Sequence, residues 1–175
     1  MSTYEKLLQE QIGNEFTASQ QYVAVAVWYD DQDLPQLAAH FYKQSLEERN
    51  HAMMMVQYLL DKDIRPQIPA VREVESDFKS ASEPLELALA QEITVTKQIE
   101  TLARTARDES DYIGEQFMQW FLKEQVEEVA AMKTLVNVAK RAGDNLFHLE
   151  DFLAREVVGD AGADPTAPTA AGGAV

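Results

Sequence analysis

The sequence contains four long amphipathic segments, and each places an acidic residue on the face that should be apolar. Apolar residues recur at the helical period near residues 3–30, 34–62, 83–108 and 111–141. The acidic interruptions are Glu15, Glu48, Glu92 and Glu128, one in each segment. Burying one unpaired ion costs several kcal/mol, and four would exceed the roughly 5 to 15 kcal/mol that stabilises a typical domain. Any fold of this chain must therefore compensate four carboxylates.

Local signals mark the ends of these helices. Ser2 followed by Glu5 is a capping box, and Gly143 is a typical helix stop. The start signals of the second and third helices are Asp33 before Pro35 and Ser82 before Pro84. A further amphipathic stretch at 145–156 predicts a short fifth helix.

The lengths of the connections predict how the helices pack. The joints at 31–33 and 109–110 are short, so the helices that they connect should be antiparallel neighbours. Residues 63–82, which we call the crossover, can span roughly 60 Å, whereas a 28-residue helix is roughly 42 Å long. The sequence therefore predicts an all-α four-helix bundle with a long crossover between helices 2 and 3.

Helix register brings the acidic residues together in pairs. Antiparallel packing puts Glu15 level with Glu48, and likewise Glu92 level with Glu128. His51 follows Glu48 by three residues, so both lie on one helix face. Two divalent cations would compensate such a cluster, and carboxylates with Glu-x-x-His pairs are typical of dinuclear metal centres in helical bundles.

Charge and cysteine content narrow the functional classes. Thirty acidic and fifteen basic residues give a net charge of −15, which disfavours nucleic acids and anionic membranes and favours cations. The chain has no cysteine, which excludes thiolate metal sites and disulfides. No leader or membrane span is evident, so we expect a cytoplasmic protein.

Four stretches resemble the ferritins, specifically the bacterial haem-free kind. They are NEFTASQQY (14–22), EERNH (47–51), QE (91–92) and WFLKEQVEE (120–128). The resemblance covers residues 1 to 156, which we predict to form a ferritin-like domain. It implies iron storage, with ferrous iron oxidised by dioxygen at a centre of two irons and kept as mineral inside a cage of twenty-four subunits.

The resemblance also implies roles for individual residues. Glu15, Glu48 and His51 would hold one iron, and Glu48 would bridge to a second iron held by Glu92 and Glu128. Gln125 would lie close by, and Tyr22 would be the tyrosine beside the site. A third iron position would map to Glu47, Glu124, Glu127 and Glu128. Haem is not expected, because Arg49 stands where haem-binding relatives have their methionine ligand.

Three alternatives remain open on the sequence alone. A di-iron oxygenase or peroxidase would use the same ligands on an organic substrate or peroxide. A DNA-protecting cage would favour a basic tail, whereas this tail has acidic residues and no lysine or arginine. A helical scaffold would keep its carboxylates protonated or hydrogen-bonded to trapped water.

The last residues differ in composition from the rest of the chain. Residues 157–175, VVGDAGADPTAPTAAGGAV, are rich in alanine, glycine and proline. Such a segment has little apolar bulk to offset its ordering entropy, so we predict a mobile tail. A mobile tail on a cage is suited to dock an outside partner.

Overall fold

The computed structural model describes residues 1–159 and 164–175, and this part of the chain is all-α. Its helices are α1 (Thr3–Asp31), α2 (Pro35–Asp61), α3 (Glu83–Asp108), α4 (Tyr112–Ala142) and α5 (Leu146–Arg155). The closest packing joins α1 to α2 and α3 to α4, while α5 contacts α4 and α2. The predicted four-helix bundle with a short fifth helix is confirmed. None of the described helices is long and apolar enough to cross a membrane.

Some helix ends follow the local signals and others do not. Ser2 and Glu5 form the predicted capping box, and Gly143 ends α4 with a φ of 56°. At the starts of α2 and α3, the predicted prolines lie in the first turn, but the polar residues before them form no side-chain cap. Asp33 has a φ of 57° and Leu34 is the N-cap of α2, while Ser82 is the N-cap of α3 but makes no side-chain cap bond.

Carboxylates from distant parts of the chain also cap two helix starts, that of α1 in addition to its capping box and that of α2. Glu109 accepts hydrogen bonds from the backbone N–H groups of Thr3 and Tyr4, at 2.8 and 3.0 Å. Glu150, on α5, accepts hydrogen bonds from the first turn of α2 at 2.8 and 3.0 Å. Both carboxylates satisfy donors that a helix start leaves unpaired, and both sit at the positive end of a helix dipole.

The crossover runs along α1 from one end of the bundle to the other. Its successive contacts with α1 are Gln67 with Gln9, Arg72 with Asn14, Glu75 with Gln21, and Ala81 with Tyr29. The approach is closest at Gly13, where a Cβ atom would lie 2.8 Å from Cγ of Pro69. The crossover thus spans the bundle, as its length predicts.

A polar layer divides the interior into two apolar cores. One core contains Leu8, Ile12, Met55, Leu59, Ile99 and Phe121. The other contains Val25, Tyr29, Leu37, Phe41, Leu85 and Leu135. Between them, in sequence order on every helix, lie the buried polar residues Glu15, Glu48, His51, Glu92, Gln125 and Glu128. The fold therefore places the acidic residues at mid-bundle.

Residues 164–175 lie against α2 and α4. The indole Nε1 of Trp120 donates to Asp164 at 3.0 Å, and the N–H of Ala171 donates to the carbonyl of Met53 at 3.0 Å. The amide of Asn50 exchanges two hydrogen bonds with the backbone of Val175. This docked position differs from the mobile tail that composition predicts, because composition does not register single polar contacts. Residues 160–163 of the predicted tail lie outside the described residues.

Candidate metal centre

The middle of the α1–α2 pair brings together the atoms of a metal site. Glu15, Glu48 and His51 each offer one ligand atom, and these atoms lie within 4.8 Å of one another. Oε2 of Glu48 is 3.6 Å from Nδ1 of His51, as expected for residues three apart on one helix. All three side chains are at most 4% exposed. The register argument for these three residues agrees with the structure.

Of the four carboxylate oxygens of Glu15 and Glu48, three have no hydrogen-bond donor from the other described residues. Oε1 of Glu15 accepts a hydrogen bond from Nε2 of Gln11 at 2.8 Å. Within the described part of the chain, Oε2 of Glu15 and both oxygens of Glu48 accept none. Buried carboxylate oxygens without donors are costly, and a cation between them would remove that cost.

The α3–α4 side of the layer supplies a second carboxylate group. Glu92 is fully buried, and its two oxygens accept hydrogen bonds from the hydroxyl of Tyr22 and from Nε2 of Gln125, the latter at 3.4 Å. The Thr96 hydroxyl lies 2.9 Å from Oε1 of Gln125 and 2.8 Å from the backbone carbonyl of Glu92, and its single proton can serve only one of them at a time. Glu128 is 2% exposed in the same layer. Tyr22 therefore contacts Glu92, and its role as the tyrosine beside an iron site, which the resemblance implies, stays a prediction.

Crowding and burial shift the pKa values of these groups upwards. Burial is the main cause of the raised pKa of Glu15, and the charge of Glu48 adds to it. Burial also raises the pKa of Glu48 most, followed by the charge of Glu92. Burial raises the pKa of Glu92 to about 7, although the Tyr22 hydrogen bond opposes the change. Burial and the neighbouring Glu92 raise the pKa of Tyr22, so its hydroxyl keeps its proton and can donate.

Two of the four residues predicted for a third iron position, Glu47 and Glu127, are less enclosed than Glu124 and Glu128. Glu124 is 7% exposed, whereas Glu47 is partly buried and Glu127 is exposed. Glu47 contacts Nζ of Lys43 at 3.1 Å and accepts a hydrogen bond from Gln44. In residues 1–159 and 164–175, Glu15, Glu48 and His51 form the only group of three such side chains whose ligand atoms all lie within 4.8 Å of one another. The third position therefore stays a prediction.

The sequence argument missed two neighbours of the ligands. Gln11 is 2% exposed and holds Glu15, and its position four residues earlier on the same helix is a signal that could have identified it. Trp120 packs edge-on against His51, with ring centroids 5.6 Å apart. No local spacing connects Trp120 to His51, since they lie on different helices.

The donors of this site are carboxylate oxygens and one imidazole nitrogen. Such a set suits first-row divalent ions, and iron in particular when several carboxylates share one site in a helical bundle. The fold and the site together define a helical-bundle protein with a buried carboxylate–histidine group that could hold a metal ion.

Comparison with known proteins gives the family. Residues 5–142 match the family model described as "Ferritin-like domain". The chain is 66% identical to Ferritin BfrB of Mycolicibacterium smegmatis over 98% of its own length and 94% of that protein. It is 35% identical to a bacterial non-heme ferritin of Staphylococcus aureus over 79% of its own length and 83% of that protein. The chain belongs to the ferritin family, and this membership supports a role in iron storage.

The solved structures agree with this assignment. An open pore ferritin from the archaeon Archaeoglobus fulgidus matches with a TM-score of 0.85 and 28% identity. The match covers 90% of this chain and 98% of that one. The five-helix arrangement is thus shared with a ferritin of distant sequence.

Proposed function

We propose that the protein stores iron by oxidising ferrous ions with dioxygen inside each subunit and keeping the ferric product in a hollow cage. The observation that carries this proposal is the buried group of Glu15, Glu48 and His51, whose ligand atoms lie within 4.8 Å of one another at mid-bundle. Apart from the contact between the two carboxyl groups themselves, Oε2 of Glu15 and both oxygens of Glu48 have no hydrogen-bond partner within the described residues, and a cation between them would compensate their charge.

Two ferrous ions would bind side by side in the polar layer. Glu15, Glu48 and His51 hold the first ion, and Glu48 bridges to the second. Glu92 and Glu128 hold the second ion, with Gln125 close by. Support for the shared role of Glu48 comes from its electrostatics, since Glu92 and Glu128 are both near enough to raise its pKa.

The pair of ions matters because dioxygen needs more than one electron. Each ferrous ion gives up one electron as it becomes ferric. Two ions together reduce one dioxygen to hydrogen peroxide, with two protons taken from solvent. The protein holds both ions in place and, through its carboxylates, stabilises the extra positive charge of the ferric products. Tyr22 keeps its hydroxyl proton and orients Glu92 during this change.

The proposal of a cage rests on membership of the ferritin family, because the structure of a single chain does not show an assembly. We propose a homo-oligomer of twenty-four subunits. A net charge of −15 per chain would concentrate ferrous ions near such an assembly. Glu47, Glu124, Glu127 and Glu128 would form a further iron position, and no haem would be bound. The docked position of residues 164–175 lends no support to an external partner for the tail.

Ferrous oxidation in air tests the proposal. The purified protein is mixed with ferrous iron while ferric absorbance and oxygen uptake are recorded, and the products are then separated by size. The test variant is Glu15→Ala/Glu48→Ala/His51→Ala, and the control is Glu100→Ala, an exposed glutamate on α3.

We expect fast oxidation by the wild type and the control, a rate near that of free iron for the test variant, and iron that elutes with a large cage. Equal oxidation rates for wild type and test variant would contradict the proposal and favour a helical scaffold without redox chemistry. Fast oxidation without retained iron would indicate an oxidase instead.

A further inference from the structure

A hydrogen-bonded series of four side chains starts at the protein surface and ends at Glu15. Arg72 of the crossover donates from a guanidinium nitrogen to Oδ1 of Asn14 at 2.7 Å. Nδ2 of Asn14 donates to Oε1 of Gln11 at 2.9 Å. Nε2 of Gln11 donates to Oε1 of Glu15 at 2.8 Å. Every donor in this series points towards Glu15.

Arg72, at the outer end of this series of hydrogen bonds, determines which atom of each amide donates and which accepts. A guanidinium can only donate, so Arg72 requires the oxygen of the Asn14 amide to face it. The nitrogen of Asn14 then faces Gln11 and requires the oxygen of that amide, which leaves the Gln11 nitrogen for Glu15. The second N–H of this nitrogen is also used, since it donates to Oε1 of Gln98 at 3.1 Å. Reversing either amide would bring like groups into contact.

These hydrogen bonds leave the two oxygens of Glu15 in different environments. Oε1 is held by Gln11, whereas Oε2 accepts no hydrogen bond within the described residues and is free of that constraint. We propose that Arg72, Asn14 and Gln11 are positioning residues that hold Oε1 of Glu15 away from the metal, so that Glu15 binds the first ion through Oε2 alone. This inference rests on the proposed function, because it assigns a task to a ligand of that site.

Two further contacts hold the crossover against α1 close to Arg72, so that its guanidinium can reach Asn14. Gly13 allows Pro69 to approach α1 more closely than any side chain would permit. The backbone N–H of Arg72 also lies 3.4 Å from the hydroxyl of Thr17. Two contacts besides the guanidinium thus fix this part of the crossover against α1, at positions two residues before and two residues after Glu15.

The expected size of the effect follows from the behaviour of groups that orient metal ligands. Removing such a group commonly weakens metal binding 10- to 100-fold. We expect Gln11→Met, which keeps the length of the side chain, to weaken binding of the first ion about 10-fold. Arg72→Met should weaken it by a smaller factor, because Asn14 and Gln11 keep their positions but lose the group that orients them.

Co(II) binding without dioxygen chemistry provides the test. The ion is titrated into metal-free protein, and its visible absorption reports both affinity and coordination. The variants are Gln11→Met, Arg72→Met and the double variant, with Arg65→Met as a control that removes an equal charge from the crossover. We expect both single variants to weaken binding and change the spectrum, the control to match wild type, and the double variant to match Gln11→Met.

Asn14→Asp separates orientation from simple packing. It keeps the size of the side chain and its contact with Arg72 but removes the donor to Gln11. We expect it to weaken Co(II) binding and alter the spectrum as Gln11→Met does. Affinities and spectra equal to wild type in Asn14→Asp and Arg72→Met would overturn the inference.

A Glu15→Gln variant keeps this result distinct from failure of the proposed function. If Co(II) binding is strong and depends on Glu15 while the three positioning variants behave as wild type, only the inference fails. If wild-type protein does not bind Co(II), or binds it equally well without Glu15, the proposed function fails as well. Circular dichroism and elution volume check that each variant is folded and assembled.

Discussion

Replacing Glu92 by glutamine should stabilise the metal-free protein at high pH and leave it nearly unchanged at low pH. Burial raises the pKa of Glu92 from its ordinary value of 4.5 to about 7. The folded state therefore binds a proton that the unfolded state releases between these two values. Ionised Glu92 is thus unfavourable for folding, and stability falls as the pH rises from 4.5 towards 7.

The magnitude follows from the pKa change. At about 1.4 kcal/mol for each pKa unit, ionised Glu92 costs the fold about 3 kcal/mol at pH 8 and less than about 1 kcal/mol at pH 5. Glutamine removes this cost but loses the hydrogen bond from Gln125, which is worth about 1 kcal/mol. The net gain should be about 2 kcal/mol at pH 8 and close to zero at pH 5.

Thermal unfolding in the presence of a chelator measures this difference. A gain of about 2 kcal/mol corresponds to a rise in Tm of about 4 to 8 °C for a chain of this size. The control is Glu100→Gln, which changes an exposed glutamate on the same helix. An equal change in Tm at pH 5 and pH 8 would refute the reasoning, because it would show that the ionisation of Glu92 is not the cause.

Three further predictions concern the surroundings of the site. Tyr22→Phe removes the hydroxyl that donates to Glu92, so we expect Co(II) titration to show severalfold weaker binding; unchanged affinity would contradict this role. Gly13→Ala would place a methyl group against the crossover proline, at a cost of about 1 to 3 kcal/mol that is offset by the about 1 kcal/mol that alanine gains over glycine inside a helix. We expect a net loss of stability of up to about 2 kcal/mol, measured by urea unfolding of metal-free protein, and a higher midpoint than wild type would show that the crossover moves freely. Asp164→Ala removes the acceptor of the Trp120 indole, so the tail amides should exchange hydrogen faster, and exchange equal to wild type would show that this contact does not hold the tail.

Much of the site could be predicted because helical periodicity and register are properties of the sequence alone. Glu15 and Glu48 stand about equally far from a short joint, so antiparallel packing brings them level. His51 shares the helix face of Glu48 by its spacing. The assignment of Glu92, Glu128 and Gln125 as ligands of a second ion stays a prediction, since only their shared layer is visible in the structure.

Contacts between distant parts of the chain could not be predicted in the same way. Glu109 caps α1 and Glu150 caps α2, although neither is near the helix it caps in sequence. The hydrogen bonds from Arg72 to Glu15 require the crossover to pass α1 with Arg72 beside Asn14. The composition of a loop does not determine this alignment. Asp164, which lies outside the helices, contacts Trp120 on α4, and only the packed fold brings the two together.

The most direct test of the account is a crystal structure of the protein soaked anaerobically in ferrous iron, with the ions located by anomalous scattering at the iron edge. The account predicts two neighbouring ions in the polar layer of each subunit. One should be held by Oε2 of Glu15 with Glu48 and His51, and the other by Glu48 with Glu92 and Glu128. A layer without iron, or a single ion that does not touch Glu48, would contradict it.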